Sequence, residues 1–460
     1  MKPLLLLTLL ASALGASAAP KPNILIIVSD DHGWGDVGVN GCRDIPTPHL
    51  DSLAKNGVRF TSGYVSGPYC SPTRAGLMTG RYQTRFGHEF NPGQALPAET
   101  KFGLSLKETP LPQKLKAAGY KTGMVGKWHL GSDKEFQPMS RGFDEFFGFL
   151  GGAHSYVNLR PAGANPIQRG FEAVDEKEYL TDAFRREAVA FIERHRQEPW
   201  FLYLPFNAVH GPMDAAPRYA DRFPNLTGGR KTYATMLTAM DDAIGAVLAK
   251  LREHKLEENT LVMFCADNGG PEEVNSSDNG PLRGHKAQTW EGGIRVPFMV
   301  QWKGALPAGK VYDQPVIQLD FHTTALVAAG VKPEAKLDGV NLLPFLKGEK
   351  AGAPHEALFW RFGQQMAIRM GDWKLVRATG AGTDQERAQL RRDVVKDLTG
   401  SHLYNLAKDI GETTNLAEKE PDKFKQLAAA WMEWNKGNEE PQWFPGGGDR
   451  AKKKDKKKAQ

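Results

Sequence analysis

Runs of apolar, largely β-branched residues recur along this chain, and each of the longest ends on a polar group. Asn23 to Val28 (NILIIV) closes on Ser29-Asp30-Asp31, Leu261 to Cys265 (LVMFC) closes on Asp267-Asn268, and Trp200 to Leu204 (WFLYL) leads to Asn207 and His210. A continuous apolar run of this length marks a strand buried on both faces of a parallel sheet. Shorter strands are predicted at Lys121 to Val125 and Val296 to Gln301, with helices at Leu111 to Ala118, Thr181 to Arg194 and Tyr233 to His254. Alternating strands and helices predict a mostly parallel sheet with helices on both faces. The polar residues then gather at the C-terminal strand ends, the ligand edge of such a sheet.

The pattern changes after about residue 350. Ala357 to Arg361, Gln365 to Met370 and Trp373 to Arg377 read as short strands joined by turns at Gly363 and Gly371-Asp372. They predict a small antiparallel sheet, covered by a helix over Asp422 to Trp434 that opens after Pro421. The expected organisation is a signal segment at 1–19, a catalytic domain at 20–350, a C-terminal subdomain at 351–445 and a disordered basic tail at 446–460.

Composition adds a compartment. Lys2, the apolar run Leu4 to Leu10 and Ala16-Ser17-Ala18 have the form of a secretory signal with its cleavage site. A secreted or periplasmic protein is expected. No stretch approaches the ~20 apolar residues of a membrane span. The net charge of +6 is concentrated at the C-terminus, where Arg450 and six lysines oppose Asp449 and Asp455. The body is therefore nearly neutral, with nothing that calls for a nucleic-acid partner. Three cysteines, Cys42, Cys70 and Cys265, do not make a disulfide framework. Cys42 and Cys265 are free to pair in an oxidising compartment, although Cys265 lies in a strand-like run that suits a buried thiol. Asn225-Leu226-Thr227 and Asn275-Ser276-Ser277 match the N-glycosylation sequon.

Candidate chemistry begins at Cys70-Ser71-Pro72-Thr73-Arg74-Ala75-Gly76-Leu77-Met78-Thr79-Gly80-Arg81. Pro72 is placed to open a helix, so Cys70 sits at its N-terminus, where backbone N–H groups favour an anion. Arg74, one turn on, faces the same side. Asp30, Asp31, Asp267 and Asn268 offer only hard oxygen donors, the set that calcium prefers. In Gly126-Lys127-Trp128-His129-Leu130-Gly131, an extended backbone points Lys127 and His129 to one face and Trp128 to the other.

These segments resemble the type I, formylglycine-dependent sulfatases, an arylsulfatase-like family of the alkaline phosphatase superfamily. The signature C-x-P-x-R-x-x-L-x-T-G-R is complete at Cys70 to Arg81, and G-K-W-H-L-G is matched letter for letter at Gly126 to Gly131. The resemblance implies an α/β fold: an alkaline-phosphatase-like α/β/α sandwich with a smaller C-terminal α+β domain built on a short antiparallel sheet. It implies that a maturation enzyme oxidises Cys70 to Cα-formylglycine, and that one Ca2+ is held by Asp30, Asp31, Asp267, Asn268 and the modified residue 70. Lys127 then holds sulfate charge, His129 acts as a base on the formylglycine hydrate, and His210 and Lys286 supply the leaving-group proton. His210 lies in Asn207-Ala208-Val209-His210-Gly211-Pro212 and Lys286 in Arg283 to Gly293, both similar to family segments. Ser155 falls where some members have a sulfate-contacting serine, and His154 and Tyr156 are placed to touch the organic part of the substrate.

The implied reaction is hydrolysis of sulfate monoesters by covalent catalysis. A sulfated carbohydrate is the expected substrate, since Trp34, Arg85, His88, Tyr156, Trp360 and Arg361 supply the aromatic and polar faces that bind sugar rings. Two rivals differ in class: a phosphatase or phosphonate monoester hydrolase of the same superfamily, and a non-catalytic binder of sulfated glycans assisted by the basic tail. No H-E-x-x-H or G-x-S-x-G segment supports a zinc protease or serine esterase.

Overall fold

The computed structural model describes residues 21–92, 101–159, 165–378 and 393–444. The expected signal segment and basic tail lie outside the described residues. In chain order the first strands are β1 (Asn23–Ser29), β2 (Val58–Phe60), β3 (Gly63–Tyr64), β4 (Lys121–Lys127), β5 (Glu145–Phe149) and β6 (Gln168–Arg169). There follow β7 (Glu172–Ala173), β8 (Trp200–Pro205), β9 (Thr260–Ala266), β10 (Phe298–Gln301), β11 (Lys310–Tyr312) and β12 (Val316–Ile317).

Ten of these form one sheet in the order β11-β2-β10-β9-β1-β8-β4-β5-β6-β7, and β3 and β12 pair separately. Its centre, β9-β1-β8-β4-β5, is parallel throughout. β10 runs antiparallel to β9. The alternation of side chains along each central strand divides the core in two. Ile24, Ile26 and Val28 pack with helices 70–79, 111–117 and 319–328, whereas Leu25 and Ile27 pack with helices 48–55, 180–195 and 228–253. This is the expected α/β/α sandwich, and it explains why the central strands are apolar without interruption. Full burial of each such side chain contributes roughly 2 kcal/mol.

A second, antiparallel sheet follows: β13 (Leu358–Phe362), β14 (Gln365–Met370), β15 (Trp373–Arg377) and β16 (His402–Asn405), paired in that order. Gly363 and Gly371 take left-handed conformations at the two tight turns, as a residue without Cβ can at no steric cost. Helix 421–435 buries Leu427, Trp431 and Trp434 against this sheet. The same core takes in Tyr64, Tyr82, Trp290, Ile294 and Leu319 from the larger unit.

A buried charge cluster crosses the same junction. Lys374 of β15 lies 2.9 Å from Glu291 and 2.8 Å from Glu412, with all three fully buried. Tyr64 donates to Glu291 at 2.6 Å, and Arg295 approaches the same carboxylate at 3.3 Å. Nearby, Arg361 pairs with Glu89 at 2.7 Å in a buried contact.

The three cysteines are free thiols. Cys265 is buried in β9, as its run predicts, and Cys42 stays apart from it near Asp44 and Arg230. Among the described residues no helix is long and apolar enough to cross a membrane.

Candidate active site

The predicted residues converge beyond the C-terminal ends of the parallel strands. β1 delivers Asp30 and Asp31, β9 delivers Asp267 and Asn268, β4 ends on Lys127, and the segment after β8 carries His210. Cys70 is the first residue of helix 70–79, which the absent N–H of Pro72 does not weaken in the first turn.

Arg74 reaches from that helix to Asp267 at 2.8 Å and Asp30 at 3.4 Å, and donates to the Lys127 carbonyl at 2.9 Å. The Cys70 Sγ faces Asp30 Oδ1 at 3.7 Å. The Lys127 ammonium pairs closely with the other oxygen of Asp30. Lys286 approaches Asp31 at 2.6 Å and His210 Nε2 approaches it at 3.6 Å.

Three buried carboxylates in such proximity perturb one another. Burial and the neighbouring Asp30 raise the Asp267 carboxyl to about 6, against the pull of Arg74 and Lys127. Burial acts on Asp31 in the same direction, but Lys286 and His210 outweigh it and hold that carboxyl at about 2. Burial pushes the Cys70 thiol up to about 12. It also pushes His210 down to about 4 despite Asp31, and holds His129, further opposed by Lys127 and Arg74, well below the usual imidazole range. Both imidazoles are thus neutral near pH 7.

A divalent cation suits this arrangement. Among the described residues Asn268 Oδ1 is buried without a hydrogen-bond partner, although its Nδ2 donates to Asp31 at 2.8 Å. Ligand atoms of Asp30, Asp31, Cys70 and His210 lie within 4.8 Å of one another. An orphaned amide oxygen beside mutually repelling carboxylates is a hard-oxygen donor set with charge to be neutralised.

The geometry departs from the sequence reading at several residues. His129 has a φ of +58°, so the extended rule that places Lys127 and His129 on one face fails there. The chain turns, and the charges of Lys127, Arg74, His210 and Lys286 still act on the ring. Trp128 does pack away, against Phe143. Ser155 is committed to protein partners: it donates to Asp214, in the segment after β8, at 2.7 Å and accepts from Asn158 N at 2.9 Å. His154 lies against Phe149 with the two rings tilted at 44° and bonds the Ser155 carbonyl at 2.7 Å. Neither makes a contact with the carboxylate cluster among the described residues. Of the expected sugar-facing residues, His88, Tyr156, Trp360 and Arg361 are interior. Their polar tips find protein partners, which is equally a use for an amphipathic side chain.

Other residues shape the site in roles that their sequence segments do not indicate. Asn275, in the second sequon, is 1% exposed and donates to the carbonyls of Asp31 at 3.0 Å and Val209 at 3.2 Å. Its amide is thereby spent on holding Asp31, which sits at φ +57°, beside the His210 segment. The Tyr156 hydroxyl bridges the carbonyls of Asn207 at 2.6 Å and His210 at 2.9 Å. Ser71 donates to the His129 carbonyl at 2.6 Å and bonds His88 at 2.7 Å. Gly152 leaves room for His129, because a Cβ there would meet its Nε2 at 2.7 Å.

Comparison with known proteins fixes the family to which this constellation belongs. The Sulfatase family model matches residues 22–331, and a second, described as N-sulphoglucosamine sulphohydrolase, C-terminal, matches residues 285–433. The chain belongs to the sulfatase family. This sulfatase is 37% identical to N-acetylgalactosamine-6-sulfatase of Sus scrofa over 80% of its own length and 74% of that protein. It is 34% identical to arylsulfatase A of Homo sapiens, over 89% and 86% of the two chains. Among solved structures, that of Ps i-CgsB in complex with k-i-k-neocarrahexaose superposes with a TM-score of 0.83 at 34% identity, covering 92% of the sulfatase and 95% of that chain. The sulfatase is a sulfuric ester hydrolase of the alkaline phosphatase superfamily.

Proposed function

We propose that this enzyme is exported and hydrolyses sulfate monoesters on carbohydrates, with Cys70 converted to formylglycine and calcium held by Asp30, Asp31, Asp267, Asn268 and residue 70. The convergence of Cys70, Arg74 and the carboxylates of β1 and β9 carries the reading. The carbohydrate substrate is supported by the names of the relatives, which act on or are complexed with sugars. Calcium would neutralise a sulfate oxygen and act as Lewis acid and template. Formylglycine would supply, as its hydrate, one hydroxyl to attack sulfur and a second through which sulfate is released.

The chain's own residues supply the rest. Arg74, locked between Asp30 and Asp267, fixes the orientation of the cluster behind residue 70. Lys127 brings positive charge to the sulfate from the buried end of β4. His129, kept neutral by its surroundings, is able to take a proton, and its Nδ1 is buried with no hydrogen-bond partner among the described residues. Lys286, held protonated by Asp31, is placed to protonate the leaving alcohol, and His210, on the same carboxylate but neutral at rest, can do so only once it has itself taken up a proton.

The substrate assignment is tested by turnover on a panel of sulfated mono- and disaccharides, including N-acetylgalactosamine 6-sulfate, beside 4-nitrophenyl sulfate and 4-nitrophenyl phosphate. Faster turnover of a sugar sulfate than of either aryl ester is expected. Preference for the phosphate would transfer the enzyme to a phosphatase role. The assignment of His129 is tested separately by Gly152→Ala, whose Cβ would meet the ring's Nε2 at 2.7 Å and force it to shift, with a melting curve to show that the loop stays folded. A fall in kcat of about 10- to 100-fold is expected, the scale of misplacing a reacting group by an ångström. An unchanged kcat would remove His129 from the reaction.

A further inference from the structure

The loop from Arg283 to Trp290 brings Lys286 to Asp31, and it is built around an unfavourable backbone. Ala287, next to Lys286, has a φ of +69°. An alanine holds a left-handed conformation only when its surroundings impose it. Two bonds grip its peptide groups. Ala287 N–H donates to the Pro68 carbonyl at 2.8 Å, two residues before Cys70, and its carbonyl accepts from Gln365 Nε2 at 2.8 Å. The other end of the same amide, Gln365 Oε1, accepts from Thr289 N at 3.3 Å. Gln365 opens β14 of the small sheet and is 3% exposed. A single side-chain amide therefore clamps the backbone just after the bend, donating to the Ala287 carbonyl and accepting from Thr289 N, while Pro68 holds the N–H on the other side. Further along, Glu291 N–H donates to Glu412 at 2.8 Å, so the loop is pinned to the small sheet and its neighbours at two places.

We propose that Gln365 is a positioning residue for Lys286: by clamping Ala287 and Thr289 it holds the left-handed bend that aims the ammonium at Asp31 and the reaction site. The proposal rests on the role given to Lys286 above. It assigns the small sheet a part in the chemistry, although no residue of that sheet touches the carboxylate cluster among the described residues.

A mutant cycle in the full-length, matured enzyme tests it. Gln365→Leu is expected to lower kcat about 10-fold or more on a sugar 6-sulfate, with KM changed by less than about threefold, since geometry rather than binding is lost. In a Lys286→Ala background the same change should cost no more than about twofold, because residues acting as a unit are not additive. Adding Ala287→Gly to Gln365→Leu should recover part of the loss, because glycine takes a positive φ unaided. A purely structural role would give none of this coupling or rescue. If Gln365→Leu does not fold, Gln365→Glu, which keeps the acceptor and loses the donor, carries the same cycle. Full activity in either Gln365 variant, or an undiminished loss on top of Lys286→Ala, would overturn the proposal. A separate arm compares Lys286→Ala on 4-nitrophenyl sulfate and on the sugar sulfate. An equal loss on both would refute Lys286 as the leaving-group acid, while the cycle would still report whether Gln365 positions it.

Discussion

Cys70→Ala abolishes turnover of every sulfate ester and leaves the melting temperature within a few degrees of the parent. The expected loss is on the order of 10^5-fold or more, the scale on which removal of a covalent nucleophile is felt. The fold survives because among the described residues the hydrogen bonding of the thiol amounts to a long 3.7 Å approach to Asp30, and because alanine is a good residue in the first turn of a helix. Arg74 remains bonded to Asp267 and the Lys127 carbonyl without it. Steady-state kinetics with a melting curve checks both halves. Residual turnover near the parent value would displace residue 70 from the reaction. Mass spectrometry of the tryptic peptide containing residue 70 accompanies the measurement, since oxidation to the aldehyde replaces sulfur by oxygen with loss of hydrogen.

The second large effect is that of the cation. Chelation lowers turnover by at least about 10^3-fold, because a Lewis acid contributes several kcal/mol of charge stabilisation. Calcium restores activity and zinc does not, since Asp30, Asp31, Asp267 and Asn268 offer oxygen and no imidazole or thiolate. An independent readout is the melting temperature, which rises with calcium concentration by mass action. The rise disappears in Asp267→Asn, where one of the three mutually repelling carboxylates is gone. Recovery with zinc alone would refute the assignment of the metal.

Much of this arrangement was legible in the chain because strong local signals and the site coincide. The uninterrupted apolar runs identified β1, β8 and β9, and the polar residues closing them lie at the ligand edge. Signals of another kind were invisible. β5 (EFFGF) reads as an aromatic cluster, and β2, β3, β11 and β12 are too short to leave a period. β16 is a four-residue strand whose pairing with β15 is defined only in three dimensions. At the site, the positive φ of His129 cannot be inferred from flanking residues that otherwise favour an extended chain. Ser155 has the chemistry of a ligand and the environment of a turn, where its hydroxyl donates a hydrogen bond to Asp214. Asn275 and Gln365 act through backbone carbonyls brought from distant segments, and an amide that binds a carbonyl has no sequence mark.

The buried triad of Lys374, Glu291 and Glu412 bears on the small sheet as a transferable piece of protein. Severed from the large unit, Lys374 would lose one of its two carboxylates and the apolar face shared with Tyr64, Tyr82 and Trp290 would meet water. The large unit would in turn keep Glu291 facing Arg295 and Tyr64 without its lysine. Neither half carries a complete set of counter-charges. Exchange of C-terminal segments between relatives, whether by recombination or by design, therefore succeeds only where Glu291 and Lys374 travel with matching partners, and a graft that respects strand boundaries alone inherits an uncompensated ion in its interior.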